Sequence, residues 1–296
     1  MKTTKYLLIF TLLLTTSIQA QRYDDVKIKT TQLTEQTYML QGAGGNIGIS
    51  VGTDGVFIID DQFAPLSEKI LAAIKTLSDK PLKFLVNTHF HGDHSGGNEN
   101  MAKAGATIIA HNTVKKRLLQ PKRDGSISPK EALPVITFND KLNITVNGET
   151  IAIFHVDNAH TDGDSLLYFT ESNVLHTGDT YFNGRYPYID LNSGGSVNGY
   201  IEAVKHGLML IDDDTKIIPG HGELSNKTEY KNFLTMLETL KTSIQKAIDS
   251  GKTEYEVKVD STLTKKYDVL EFGNGYINSE RIRLTFYKSL KKELKH

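Results

Sequence analysis

Asn87-Thr88-His89-Phe90-His91-Gly92-Asp93-His94-Ser95-Gly96-Gly97-Asn98 is the stretch on which the reading of this chain turns. Three imidazoles and a carboxylate fall within six positions, directly after the apolar run Phe84-Leu85-Val86. That density does not suit a satisfied core, whereas a metal centre requires it. In a strand or loop alternate side chains point the same way, so His89 and His91 are expected to converge on one ion while Asp93 and His94 face a neighbouring one. Gly92, Gly96 and Gly97 allow the tight backbone that convergence needs, and Ser95 to Asn98 reads as the entry to a helix.

Working outward, the segment before the motif reads as short strands at 26–29, 37–41, 47–51 and 56–59, with Gly-rich or Thr-Asp-Gly turns between the later ones. Apolar residues at helical spacing follow over 65–77 (Leu66, Ile70, Leu71, Ile74, Leu77), then a strand at 84–86 delivers the histidines. A helix at 98–104, a strand at 107–110 and a helix at 112–119 continue the alternation, which is that of a layered α/β fold. Residues 120–134 turn to Pro, Lys, Arg, Gly and Ser and read as an exposed loop beside the site, with Lys122-Arg123 as a further rim. Strands return at 135–138, 142–146, 150–155, 165–169 and 174–176, with a hairpin at Asn147-Gly148. A helix at 197–211, a strand at 216–218, a long amphipathic helix at 227–249 and a terminal helix at 279–294 complete a second sheet with its own helices.

The composition narrows the chemistry. Lys+Arg of 34 against Asp+Glu of 35 gives a net charge of -1, so no global field recruits nucleic acid or an anionic membrane. With no Cys among 296 residues, disulfides, thiolate ligands and a Cys nucleophile are all excluded, and any metal sits among nitrogen and oxygen ligands. Lys2 and Lys5, an apolar run over 6–14 and a small-residue end at Ala20 read as a signal peptide spanning 1–20. The expectation is an exported, periplasmic or secreted protein, not inserted in a membrane once the signal is cleaved, with one domain over 21–296 that includes the helical tail.

Three further points end strands among turn residues: His160 in Asn158-Ala159-His160-Thr161-Asp162-Gly163-Asp164, Asp179 in Thr177-Gly178-Asp179-Thr180, and His221 in Pro219-Gly220-His221-Gly222. Loops at strand ends meet at one edge of an α/β sheet, where such folds place their sites. With these in hand the sequence resembles the metallo-β-lactamase superfamily. The family's His-x-His-x-Asp-His turn stands as His89, His91, Asp93 and His94, its single downstream histidine as His160, its bridging aspartate as Asp179, and its last histidine as His221. The resemblance runs over about residues 37–224, and the tail through Tyr267, Gly273-Asn274-Gly275 and Tyr287 is similar to that of exported bacterial members.

The resemblance implies an αββα sandwich of two mixed sheets with helices on the outer faces. It implies two Zn2+ ions, in preference to iron or manganese, with His89, His91 and His160 on the first, Asp93, His94 and His221 on the second, and Asp179 bridging. Two cations sharing a water bring its pKa toward neutrality, so hydroxide attacks a carbonyl without a protein nucleophile, and Asp93 is the catalytic candidate that orients it and passes a proton. Flavodiiron relatives put Glu where His91 stands, which disfavours redox chemistry, and the charge balance and export disfavour a nuclease. β-Lactam hydrolysis is the first expectation, since it suits the compartment. A lactonase or a thioesterase of the glyoxalase II type follows, because β-lactamase subclasses that use a Cys ligand carry it where Asp179 stands. An alternative of another class is a mononuclear iron oxygenase or a non-catalytic metal-binding protein. The partner is a small molecule.

Beyond the ligands, Arg185 in Asn183-Gly184-Arg185-Tyr186-Pro187-Tyr188 is the candidate to hold a substrate carboxylate, or else it packs on Tyr186 or Tyr188. Ser193-Gly194-Gly195-Ser196 is expected on the same rim. Asp60, at a strand end, is a candidate to hold a ligand imidazole or the Thr88 turn. His111, His155, His176, His206 and His296 sit in no ligand motif and read as structural or exposed, with His155 and His176 at strand ends that could support the site from behind.

Overall fold

The computed structural model describes residues 23–121 and 125–293. The expected signal peptide and the Lys122-Arg123 pair lie outside the described residues. One seven-stranded sheet runs in chain order through β1 (Lys29–Gln32), β2 (Thr37–Gln41), β3 (Ile47–Gly52), β4 (Gly55–Ile59), β5 (Leu82–Asn87), β6 (Thr107–His111) and β7 (Ile136–Phe138). Its first half is antiparallel, and from β4 onward each strand pairs in parallel with the next. A six-stranded sheet takes β8 (Lys141–Val146), β9 (Glu149–His155), β10 (Ser165–Phe169), β11 (Val174–His176), β12 (Lys216–Ile218) and β13 (Ser225–Asn226) in reverse order. Only its β11–β12 pair is parallel.

Both sheets are therefore mixed, and the side-chain alternation explains how they stack. On β4, Phe57 and Ile59 point to a core shared with Ile151, Ile153, Leu167 and Phe169 of the other sheet. Val56 and Ile58 point the opposite way, against Leu66, Ile70 and Ile74 of helix Ser67–Leu77 and its approach. The outer face of the second sheet packs on helices Val197–Leu210, Lys227–Asp249 and Ser279–Glu293, with Tyr200, Phe233, Leu240, Ile282 and Phe286 in one buried cluster. The order of layers is helix, sheet, sheet, helix, which is the expected αββα sandwich.

Sequence and structure part company at the margins. The expected strand at 26–29 is found three residues later at Lys29–Gln32, because Val26 and Ile28 pack on the outer core while the polar, β-branched Thr30-Thr31 segment makes the edge ladder with β2. The helix expected from residue 65 begins as a 3-10 turn at Ala64–Leu66. Asn147 and Gly148 take φ of 57 and 72, as their hairpin requires. In the tail, the short helices Glu254–Val259 and Lys265–Asp268 were not anticipated.

The topology puts four strand ends at one edge. Ile59 of β4 is level with Val86 of β5, so Asp60 emerges beside the His-rich turn. His176 of β11 is level with Ile218 of β12, so the turns carrying Asp179 and His221 emerge together from the second sheet.

Candidate metal centre

The His-rich turn is tied at its ends by a reciprocal pair of buried amides, Asn87 and Asn98, each donating to the other at 2.9 Å. Between them, Gly92–Ser95 forms one helical turn with His91 at its N-cap. This corrects the expected strand-like alternation: Asp93 and His94 are consecutive helical residues, and the convergence comes from chain wrapping. Glycine makes the wrap feasible, since a Cβ at Gly96 would lie 2.3 Å from the Gly92 carbonyl. Ser95 then closes the turn, donating to the carbonyl oxygens of Phe90 and His91 at 2.9 and 3.1 Å.

Two groups of ligand-type atoms result, each with its members within 4.8 Å of one another: His89, His91, His160 and Asp179, and then Asp93, His94 and His221. All seven sequence candidates are brought together. Asp179 lies between the groups, with Oδ2 at 3.8 Å from His89 Nε2 and 3.5 Å from His160 Nε2, and Oδ1 at 3.0 Å from His94 Nε2 and 3.3 Å from His221 Nε2.

The hydrogen bonds behind the imidazoles decide which nitrogens face inward. His160 Nδ1 lies 2.8 Å from the Tyr188 carbonyl, which only accepts, so Nδ1 carries the hydrogen and Nε2 presents a lone pair. His91 Nε2 faces the Asp190 carboxylate at 3.2 Å, which leaves His91 Nδ1 as a lone pair 2.8 Å from that of His160. Two such lone pairs stay at that distance only with a cation or a proton between them. His94 Nδ1 donates to Asp60 Oδ2 at 2.7 Å. The Thr88 hydroxyl donates to the same oxygen at 2.7 Å and so accepts from His89 Nδ1 at 3.0 Å. His89 Nε2 and Asp179 Oδ1 are left buried without a hydrogen bond, both aimed at the centre. The donor set therefore fits metal ions of the zinc type on residues of this chain alone.

The electrostatics agree with a demand for positive charge. Burial alone would raise Asp179, but His94, His221 and His160 hold it well below the usual carboxylate range. Burial pulls His94 down, yet Asp179, Asp60 and Asp93 raise it well above an ordinary imidazole, and His221 is likewise pushed up to about 9 against its burial by Asp179 and Asp93. His89, buried and beside His94, is lowered well below its usual value. Small residues form the cradle: a Cβ on Gly45 would lie 2.0 Å from His94 Cε1, and one on Gly220 would lie 2.2 Å from Asp179 Oδ1.

Several supporting residues had little or no sequence signal. Asp190 and Tyr188 follow Arg185 in a stretch with no motif. Asn46 donates through its amide to the Pro219 and Gly222 carbonyls at 2.8 and 2.9 Å, fastening the His221 turn to the first sheet. Asp164 accepts from the Thr161 amide and hydroxyl at 2.7 and 2.6 Å and shapes the His160 turn. Tyr200 donates to the Asp179 carbonyl at 2.7 Å. Asp60 does both things expected of it, since it also accepts from the Thr88 amide at 2.8 Å. His155 and His176 touch no ligand side chain: His155 donates to the Asp164 carbonyl at 2.8 Å, and His176 bridges the Asn46 carbonyl and the Gly178 amide at 3.1 Å each.

A cavity of about 470 Å³ opens over His91, Asp93, Asp179 and His221, with Arg185 on its wall. Arg185 does not stack on Tyr186 or Tyr188, and among the described residues no hydrogen bond or ion pair engages its guanidinium; Arg281, from the tail, is the cation over Tyr188, at 5.6 Å from the ring. Ser193 to Ser196 is not on this rim. Asp190 accepts from the Asn192 and Ser193 amides, which folds the segment back behind His160, and Ser196 caps helix Val197–Leu210.

A four-layered sandwich that gathers histidines and aspartates at the edge of two mixed sheets defines the class of metal-dependent hydrolases. The profile described as the Metallo-beta-lactamase superfamily matches residues 38–243, and the chain belongs to that family. Among curated proteins it is 26% identical to a hydroxyacylglutathione hydrolase of Polaromonas sp. over 70% of this chain and 72% of that one. It is 32% identical to a protein of the same name from Pelagibacter ubique over 50% of this chain, and spans 56% of that relative's length. Among solved structures, a metallo-beta-lactamase from Pontibacter korlensis superposes with a TM-score of 0.61 at 17% identity, over 72% of this chain and 99% of that one. A stereoselective inverting sec-alkylsulfatase from Pseudomonas sp. gives 0.64 at 18% identity, over 91% of this chain and 51% of the other. These two likenesses concern the fold.

Proposed function

We propose that this chain is a dinuclear zinc hydrolase that opens the carbonyl of a small-molecule substrate, with a thioester first. The observation that carries the two-metal reading is Asp179, whose two oxygens face the two groups of ligands separately. His89, His91 and His160 would hold one ion, Asp93, His94 and His221 the other, with Asp179 between. When bound, two zinc ions supply Lewis acidity and an activated water near neutral pH. Asp93 borders the cavity, and against the effect of its burial His94 and His221 keep it ionised below the ordinary aspartate range. Ionised and on the cavity wall, it would be the carboxylate that accepts a hydrogen bond from the water and orients it. Arg185, on the cavity wall, would pair with a substrate carboxylate.

The names of the two curated relatives support a thioester ahead of the β-lactam that sequence reading put first. So does a carboxylate at Asp179, where some β-lactamase subclasses carry Cys. β-Lactam hydrolysis remains the second reading, favoured by the N-terminal export pattern and by the carboxylate partner that Arg185 offers. We propose export, and one hydrolase domain over residues 21–296. Zinc-loaded protein is expected to contain about two ions per chain, and its turnover of a glutathione thioester, a homoserine lactone, a penicillin and a carbapenem ranks the substrates. Asp93→Ala is expected to abolish turnover while circular dichroism stays unchanged. A single iron without zinc, or wild-type rates in Asp93→Ala, would overturn the proposal.

A further inference from the structure

The tail beyond the family match forms part of the candidate site. Tyr276 and Ile277 line the same cavity as His91, Asp93 and His221. Tyr276 is held in the open, at 73% exposure, where a large ring gains little from burial. Its position is nevertheless fixed. The Arg281 guanidinium lies 4.6 Å from the Tyr276 ring and 5.6 Å from that of Tyr188, and the two rings meet edge to face at 5.8 Å. Tyr188 in turn lies 5.8 Å from the His91 ring and 5.6 Å from that of His160, so a continuous aromatic wall runs from the ligand imidazoles to the tail.

The wall is anchored from behind. The Tyr186 amide donates to the Phe272 carbonyl at 3.0 Å, and its hydroxyl donates to Asp268 at 2.7 Å. Ser279 donates to the same Asp268 oxygen at 2.6 Å. The charges at its rim are unbalanced. Among the described residues the Arg281 guanidinium has no carboxylate partner and one hydrogen bond, to the Tyr276 hydroxyl at 3.5 Å, and the Arg185 guanidinium has neither. Of the nearby acids, Glu223 pairs with Lys29 at 2.9 Å and is reached by Arg185 through space alone, and Asp190 faces His91.

We infer that Tyr276 and Arg281 are specificity-determining residues, and that the substrate class is an acyl compound bearing a flat apolar group next to a negative charge. The ring lies along Tyr188 and Tyr276, and the anion meets Arg281 and Arg185 at the rim. This inference rests on the hydrolase reading of the same site, and two separate measurements distinguish them.

The first uses a matched pair of non-hydrolysable thioethers, 4-carboxybenzyl and 4-methylbenzyl, titrated calorimetrically into zinc-loaded protein. Wild type is expected to bind the carboxylated member about tenfold more tightly, the worth of one charge-assisted hydrogen bond. Arg281→Gln is expected to cut that ratio about fivefold, and Tyr276→Ala to weaken both members, with zinc content and circular dichroism unchanged in each. Equal affinities in wild type, or a ratio that Arg281→Gln leaves intact, overturns the inference. The second measures turnover of the corresponding 4-carboxybenzoyl and 4-methylbenzoyl thioesters by wild type. Absence of turnover with the binding preference present rejects the thioesterase reading and leaves the wall standing.

Discussion

Asp60→Asn probes the support of the metal centre with little change in shape. Asp60 has φ 61, in the left-handed region that Asn tolerates and Ala does not, so the backbone is kept. An Asn oxygen can go on accepting from the Thr88 amide, now 2.8 Å from Oδ1. The amide nitrogen, in place of Oδ2, then faces two donors, the Thr88 hydroxyl and His94 Nδ1, each at 2.7 Å. Two charge-assisted bonds at about 1.5–3 kcal/mol each make a gross loss of about 3–6 kcal/mol. Relief is available, because the hydroxyl can rotate and His94 can move its hydrogen from Nδ1 to Nε2. The net loss of stability is then about 1–3 kcal/mol. The same relief removes the lone pair that His94 aims at the centre, and zinc affinity is expected to fall about 10–100-fold. Competition against a chromophoric chelator at neutral pH measures the affinity, and thermal unfolding of zinc-free protein measures the stability. Affinity within twofold of wild type, alongside a lowered unfolding midpoint, would refute the tautomer argument.

Because the aspartates raise His94 and His221, the latter to about 9, zinc must displace protons near neutral pH, and its apparent affinity is expected to rise with pH up to that value. Calorimetry in buffers of different ionisation enthalpy should show proton release, and buffer-independent heats would contradict it. Gly220→Ala places a methyl 2.2 Å from Asp179 Oδ1, so metal content after dialysis is expected to drop about tenfold or more while the sheets persist by circular dichroism. Burial lowers His176 to about 4, and both its nitrogens are engaged in the neutral form. Its folded pKa lies below the unfolded one, so the unfolded chain binds the extra proton and stability is lost as pH falls from about 6.5 toward 4. In urea unfolding of zinc-free protein, His176→Gln should flatten that slope by up to about 1.4 kcal/mol per pH unit; parallel curves would exclude His176 as a source.

The site was legible because its ligands are local in sequence and chemically unusual. His89 to His94 announces itself by density, and His160, Asp179 and His221 each stand where a strand runs out into Gly, Pro, Thr or Asp. The long helices were legible from their periodicity, and Lys227–Asp249 matches its expected bounds. Less was readable where a side chain works through a distant partner. Asp190 and Tyr188 hold His91 and His160 across long stretches of chain, and nothing in Tyr-Ile-Asp distinguishes them from ordinary loop residues. Edge strands were also hard to place, because Lys29–Gln32 pairs through backbone and carries no apolar alternation. Stacking on Tyr186 or Tyr188 was the alternative reading of Arg185, and the cation over Tyr188 is instead Arg281 of the tail, as only tertiary packing could reveal.

The two sheets each own part of the centre: His89, His91, Asp93 and His94 follow a strand of the first, and His160, Asp179 and His221 follow strands of the second. Ions held there would tie segments far apart in the chain into closed loops, as a pair of disulfides would, in a sequence with no cysteine. Such a tie would restrict sliding of one sheet over the other at the edge where the cavity opens. Stripping the metal would then act beyond the chemistry, loosening the mechanical coupling between the two halves of the sandwich and making chain integrity track the supply of free zinc.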